Sequence, residues 1–126
     1  KDLTPITDTL YLSGELGTQA WQHMLKLGIT HILTLGMEAP KDQHPEHFTY
    51  KIIHKEDLVY EDLLSAFPEA TAFIKLAPSC LIHCHKGVSR SATITIAYLM
   101  AEKRHTMEEA LTLVRTRRPM IDPNWG

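Results

Sequence analysis

The sequence predicts a single α/β domain with a central, mostly parallel sheet of about five strands and helices on both faces. Two observations carry this expectation. Short apolar, β-branched runs alternate with longer stretches of helical spacing, the pattern of strand–crossover–strand units. No internal repeat, low-complexity tract or linker interrupts the 126 residues, a length that suits one domain with its own core.

Each element has its own signal. Residues 6–12 read as a strand or hairpin, closed by Ser13-Gly14. Residues 18–27 read as a short amphipathic helix, with Ala20, Trp21, Met24, Leu25 and Leu27 on or near its apolar side and Gly28 as its stop. Residues 29–35 are apolar and β-branched, as a buried strand is. Residues 36–47 are polar and proline-bearing, a surface loop, and 48–54 form another strand. Residues 62–76 show helical spacing in Leu63, Phe67, Ala70, Phe73, Ile74 and Leu76. Asp62 fits the N-cap of that helix, and Pro68 is expected to kink it or restart it. Residues 79–83 form a short apolar strand. Residues 90–103, rich in Ala, Ile, Leu and Met, form a central buried helix. Thr106 and Glu109 stand in capping-box spacing and open a last helix over 107–118, which Pro119 stops.

Composition narrows the function classes. The chain is 44% hydrophobic and 22% charged, with a formal net charge of -2. That balance gives no footprint for nucleic acid or an anionic membrane surface. The apolar runs are too short to span a bilayer, and the N-terminus lacks a signal-peptide core. Cys80 and Cys84, the two cysteines, do not make a disulfide framework. A reducing compartment, cytoplasmic or nuclear, is therefore expected.

The chemistry concentrates at Leu81-Ile82-His83-Cys84-His85-Lys86-Gly87-Val88-Ser89-Arg90-Ser91. A strand delivers Cys84 into a turn that Gly87 relaxes. A helix then begins near Ser89 or Arg90, with its free N–H groups aimed back into the loop. Such amides cradle an oxyanion, and the helix dipole adds to them. A thiolate at Cys84 gains from the same field. Arg90 follows at a distance that lets its guanidinium face the sulfur across a bound phosphoryl group, offering two parallel N–H bonds. Cys and Arg at this spacing mean little alone. The signal lies in the combination of apolar strand, His83, Gly87, Ser91 and apolar helix.

These residues resemble the phosphate-binding loop of the protein tyrosine phosphatase superfamily. Ser91-Ala92-Thr93 and Ala97-Tyr98-Leu99-Met100 resemble its dual-specificity branch, as do Ala110, Val114, Arg117-Arg118-Pro119 and Pro123-Asn124. Leu10-Tyr11-Leu12-Ser13-Gly14 and residues 28–33 resemble the branch's opening strands, so the similarity covers nearly the whole chain. The resemblance implies the phosphatase-like fold and hydrolysis of phosphotyrosine, phosphoserine and phosphothreonine in proteins. It implies Cys84 as nucleophile, Arg90 as phosphate clamp, and Ser91 as hydrogen-bond donor to the Cys84 sulfur. His83 braces the loop, and His85, Lys86, Gly87, Val88 and Ser89 offer backbone amides to the phosphate. The general acid registers onto Asp57, with Asp62 and Glu56 as rivals. No metal or cofactor is implied, and the oligomeric state is left open. The chain departs from the family in carrying Thr34 where Asn is common, and in lacking a Pro near His54. It opens on Lys1 and stops at Gly126, short of the usual terminal helix, so a trimmed domain is expected.

The same residues admit other readings. The same chemistry could serve a phosphoinositide, an RNA 5′ end or a phosphorylated glucan, or the fold could be a non-catalytic phospho-binding module. His44 and His47 are explained by a polar loop better than by a metal. Cys80 is a strand-packing residue before it is a disulfide partner for Cys84. Arg115, Arg117 and Arg118 read as a solvated helix end, and Trp21 and Trp125 as packing residues.

Overall fold

The computed structural model describes residues 3–14, 20–36, 43–53, 60–84 and 89–118, with backbone alone for 60–64 and 89. Its elements are β1 (Thr4–Pro5), β2 (Leu10–Ser13), α1 (Ala20–Leu27), β3 (His31–Leu35), β4 (Thr49–Ile53), α2 (Tyr60–Leu76), β5 (Cys80–Cys84), α3 (Ser89–Glu102) and α4 (Met107–Arg117). The five strands form one sheet in the order β1-β2-β5-β3-β4. Only the short edge strand β1 runs antiparallel; β2, β5, β3 and β4 are parallel. The expected mostly parallel sheet is therefore present.

β5 lies at the centre because it can be covered on both faces. All of Cys80-Leu81-Ile82-His83-Cys84 is buried, as a doubly covered parallel strand requires. Side chains alternate across the sheet. Leu10, Leu33, Leu35, Ile53, Ile82 and Cys84 form a cluster with Ala70, Phe73 and Ile74 of α2 and Ile94 of α3. On the same side, Leu12 packs with Ile96 and Leu99 of α3 and with Ala110 and Val114 of α4. Ile32 and Leu81 point to the other face, where Met24 of α1 and Phe48 cover them. Among the described residues helices thus stand on both faces, three on one and one on the other.

Local chemistry sets the ends. After α1, the Gly28 N–H bonds the Leu25 carbonyl and the Ile29 N–H bonds the Met24 carbonyl. Gly28 takes φ of 85°, and Met24 and Ile29 share one apolar cluster. This is a Schellman stop with its hydrophobic contact. At α4 the capping box is complete. The Glu109 N–H bonds Thr106 Oγ1 at 3.0 Å, and the Thr106 N–H bonds Glu109 Oε1 at 2.8 Å.

Of the two readings offered for residues 6–12, the hairpin is the one present. They form its turn and second arm, paired antiparallel with β1, with the N–H groups of Ile6 and Thr7 both bonding the Leu10 carbonyl. Ile6, in the turn, is core, 1% exposed. Two local expectations need correction. Pro68 does not restart a helix, one of the two expectations for it; it lies inside α2, which continues through it. Pro68 is exposed, so the carbonyl left without a donor one turn earlier can face water. Ala66, Ala70, Phe73 and Ile74 bury the opposite face, and that packing outweighs the local cost. Asp62 is not the N-cap, because α2 begins at Tyr60. It sits in the first turn, where a carboxylate is favoured by the helix dipole.

The turn from α3 to α4 stores strain. Arg104 has φ of 61°, and the Leu99 carbonyl accepts from both Lys103 and His105 N–H groups around it. A side chain in this left-handed region is unfavourable, and glycine is not. Arg104→Gly is expected to stabilise the fold by roughly 0.5–1 kcal/mol, read as a higher urea midpoint with an unchanged slope.

Candidate functional site

The site grows from the carboxyl end of β5. Successive residues of a strand point to opposite faces, so Cys84 and His83 part company. Cys84 turns toward α3 and is fully buried. Its Sγ lies 3.5 Å from Ser91 Oγ in the first turn of that helix. Ser91 is itself fully buried, and its Oγ also lies 3.5 Å from the Ser13 carbonyl at the end of β2. Thr95 Oγ1 donates to the Ser91 carbonyl at 2.7 Å, tying the second turn of α3 to the first.

His83 turns to the α1 side of the sheet. In register it stands between Ser13 of β2 and Thr34 of β3, a buried polar row across three strands. Its Nε2 is 2.9 Å from Thr34 Oγ1, and its Nδ1 is 3.2 Å from the Gly14 carbonyl. Thr34, which stands where the resemblance leads one to expect Asn, thus lies within hydrogen-bond reach of this histidine. Both ring nitrogens of His83 thus have polar neighbours on or just past adjacent strands.

Arg90 is the second residue of α3 and is half-buried. A Cβ on Gly36 would stand 3.8 Å from Arg90 Nη1. The guanidinium thus lies over the carboxyl end of β3, the strand paired with β5 and with Leu35 opposite Cys84. Ligands of open α/β sheets bind in this place, beyond the carboxyl ends of central strands. Gly36 has φ of 140°, a conformation that only glycine adopts without strain. Gly36→Ala is expected to cost roughly 1–3 kcal/mol, measurable by thermal unfolding.

Asp57, His85, Lys86, Gly87 and Val88 lie outside the described residues, and Ser89 is described as the first residue of α3. Cys80 is placed clearly. It is buried in strand packing, and burial pushes its thiol up to about 12, so it stays protonated near neutrality. Cys80 and Cys84 sit on one face of one strand, roughly 13 Å apart at ~3.3 Å per residue. A disulfide needs Cα atoms within about 7 Å, so the two cannot pair while β5 is extended.

His44 and His47 sit before β4, at the opposite end of the sheet from Cys84. His44 Nδ1 is 3.4 Å from Glu46 Oε2, and Trp21 stacks on His44 with centroids 4.3 Å apart. Among the described residues no group of three or more His, Cys, Asp or Glu could hold a metal ion. Arg115 and Arg117 are exposed at the end of α4, while Arg118 Nη1 donates to Thr4 Oγ1 at 2.8 Å. Sequence reasoning missed Ser13, Gly14 and Gly36. The available signal was positional: each stands at or just past the carboxyl end of a strand neighbouring β5.

The family model for the dual specificity phosphatase catalytic domain matches residues 10–126. The chain belongs to this family. Human dual specificity protein phosphatase 4 is 39% identical over 121 residues, which cover 93% of this chain and 30% of that protein. Dual specificity protein phosphatase 1B of Arabidopsis thaliana is 35% identical, with 100% of this chain and 77% of that protein covered. The chain thus spans under a third of the length of the first relative and most of the second. Among solved structures, human DUSP28 superposes with a TM-score of 0.85 at 25% identity, over 98% of this chain and 86% of that one. The human tyrosine phosphatase-like serine/threonine/tyrosine-interacting protein gives a TM-score of 0.84 at 28% identity, over 97% and 87%. The mixed α/β sheet is therefore that of the dual-specificity phosphatases.

Proposed function

We propose that this dual-specificity phosphatase domain hydrolyses phosphotyrosine and phosphoserine or phosphothreonine in proteins through a phosphocysteine intermediate. The observation that carries the reading is Cys84 at the end of the central strand, with its sulfur beside the Ser91 hydroxyl and Arg90 at the start of the same helix. The names of the relatives support a protein substrate.

The reaction balances in two steps. The Cys84 thiolate forms a bond to phosphorus as the bond to the substrate oxygen breaks. Asp57, as a carboxylic acid, gives its proton to that leaving oxygen. Arg90 and the amides of residues 85–89 hold the equatorial oxygens, where the charge of the transferring group is spread. In the second step Asp57, now a carboxylate, takes a proton from water. The water oxygen bonds to phosphorus, and the Cys84 sulfur departs as a thiolate. A hydrogen bond from Ser91 Oγ stabilises the leaving sulfur.

Neither step calls on a metal, so EDTA is expected to leave turnover unchanged in a p-nitrophenyl phosphate assay. The reaction needs Cys84 as a thiolate, which a reducing cytoplasmic or nuclear setting would preserve. The deciding experiment is a panel of phosphotyrosine, phosphoserine and phosphothreonine peptides set against a phosphoinositide and an RNA 5′ phosphate. Faster hydrolysis of the peptides is expected; a preference for lipid or RNA would overturn the substrate assignment.

A further inference from the structure

Ser13 stands at the junction of the two supports of the nucleophile, and its own hydroxyl is part of that junction. Ser13 Oγ donates to the Gly14 carbonyl at 3.1 Å. The same carbonyl faces His83 Nδ1 at 3.2 Å. One residue back, the Ser13 carbonyl accepts from Ser91 Oγ at 3.5 Å. Ser13, Thr34 and Ser91 are all fully buried, and His83 is 4% exposed. Buried polar atoms at such a junction are arranged by their hydrogen bonds, since water does not compete.

The order of protons along this row follows from one fact. A carbonyl oxygen can only accept, so His83 Nδ1 must carry the proton that it shares with Gly14. In the neutral ring Nε2 then has a lone pair, and the Thr34 hydroxyl at 2.9 Å donates to it. The Ser13 hydroxyl holds the Gly14 carbonyl in the direction that His83 needs. We propose that Ser13 is a positioning residue. Through its hydroxyl and the Gly14 carbonyl it fixes the Nδ1–H tautomer and ring orientation of His83. Its carbonyl meanwhile gives the Ser91 hydroxyl a second acceptor beside the Cys84 sulfur. Thr34 completes the fixation from the other side.

The same geometry describes how Ser91 would act during turnover. Ser91 Oγ lies 3.5 Å from both the Cys84 sulfur and the Ser13 carbonyl. When that sulfur carries no proton of its own, both are acceptors for the one hydroxyl proton. A neutral carbonyl is the better acceptor while sulfur is bonded to phosphorus. A charged sulfur is the better one as that bond breaks. The hydrogen bond to sulfur then strengthens toward the transition state, which is the condition for accelerating a step. This part rests on the proposed phosphatase reaction; the His83 tautomer does not.

The test compares wild type, Ser13→Ala, Thr34→Val, Thr34→Ser and the Ser13→Ala/Thr34→Val double variant. Long-range ¹⁵N NMR of the wild-type imidazoles reads the tautomer directly. His83 is expected as Nδ1–H with an unprotonated Nε2. A Nε2–H tautomer overturns the proposal whatever the variants do. In p-nitrophenyl phosphate kinetics, Ser13→Ala and Thr34→Val are each expected to lower kcat by about five- to ten-fold. KM should stay within about two-fold, as for an interaction that acts on the reacting geometry. The double variant should lose less than the product of the single losses, because both act through His83. Thr34→Ser should recover most of the loss. Unchanged kcat in a folded Ser13→Ala protein, or fully multiplicative losses, overturns the positioning role. Should wild type lack phosphatase activity, the functional reading fails, and the His83 tautomer with its shift in Ser13→Ala still decides this inference.

Discussion

Cys84→Ser is expected to abolish turnover, by at least about 10⁴-fold, while inorganic phosphate still binds. The exchange is nearly isosteric at a fully buried position, so the fold and the Ser91 contact have no steric reason to change. What is lost is chemical. A hydroxyl stays protonated where a thiol can ionise, and a serine alkoxide is a poor leaving group for the second step. The exchange leaves untouched Arg90 and the loop amides to which phosphate binding is assigned in the proposed reaction, so binding is expected to persist. Steady-state kinetics with an aryl phosphate, paired with calorimetric titration of phosphate, separates the two effects. Retained activity would remove Cys84 from the nucleophile role.

Asp57→Ala is expected to slow turnover by roughly 10²–10⁴-fold on substrates with poor leaving groups. The loss should be much smaller for p-nitrophenyl phosphate, whose leaving group departs without a proton. Asp62→Ala gives the comparison. Asp62 lies two residues into α2; a carboxylate at such a position is typically worth about 0.3–1 kcal/mol, so its removal is expected to lower stability by that much and spare the rate. An Asp57 effect no larger than that of Asp62 would mean that another carboxyl is the acid.

The elements that could be read from sequence were those whose signal is local. Thr106 and Glu109 announce a helix start by spacing alone, and both reciprocal bonds are present. Gly28 announces a helix stop for a similar reason. The apolar run at residues 79–83 announces a strand, and β5 is that strand, displaced by one residue; its central place in the sheet is a finding of the structure. Pro68 was misleading because its local cost is outweighed by burial of the face opposite it. Asp62 misled because an N-cap and a first-turn carboxylate look alike when the start of the helix is uncertain by two residues.

Of the candidate site, Cys84, His83, Arg90 and Ser91 could be proposed from sequence because a single short motif contains them. The structure brings Cys84 and Ser91 together and sets His83 on the other face. Ser13, Thr34 and Gly36 come from distant strands. Their relation to the motif depends on register, which puts both Ser13 and Thr34 opposite His83. No local pattern encodes that pairing, because it is decided by which strand inserts between which others.

That insertion has a kinetic consequence. β3 and β4 can pair as soon as both exist, but β2 and β3 have no common neighbour until β5 is made. The Gly14 carbonyl waits for a histidine 69 positions further along the chain, and the Ser13 carbonyl for a hydroxyl 78 positions on. Such distant closures raise the entropic barrier to folding. A nascent polypeptide therefore has no assembled pocket before the start of α3 has left the ribosome.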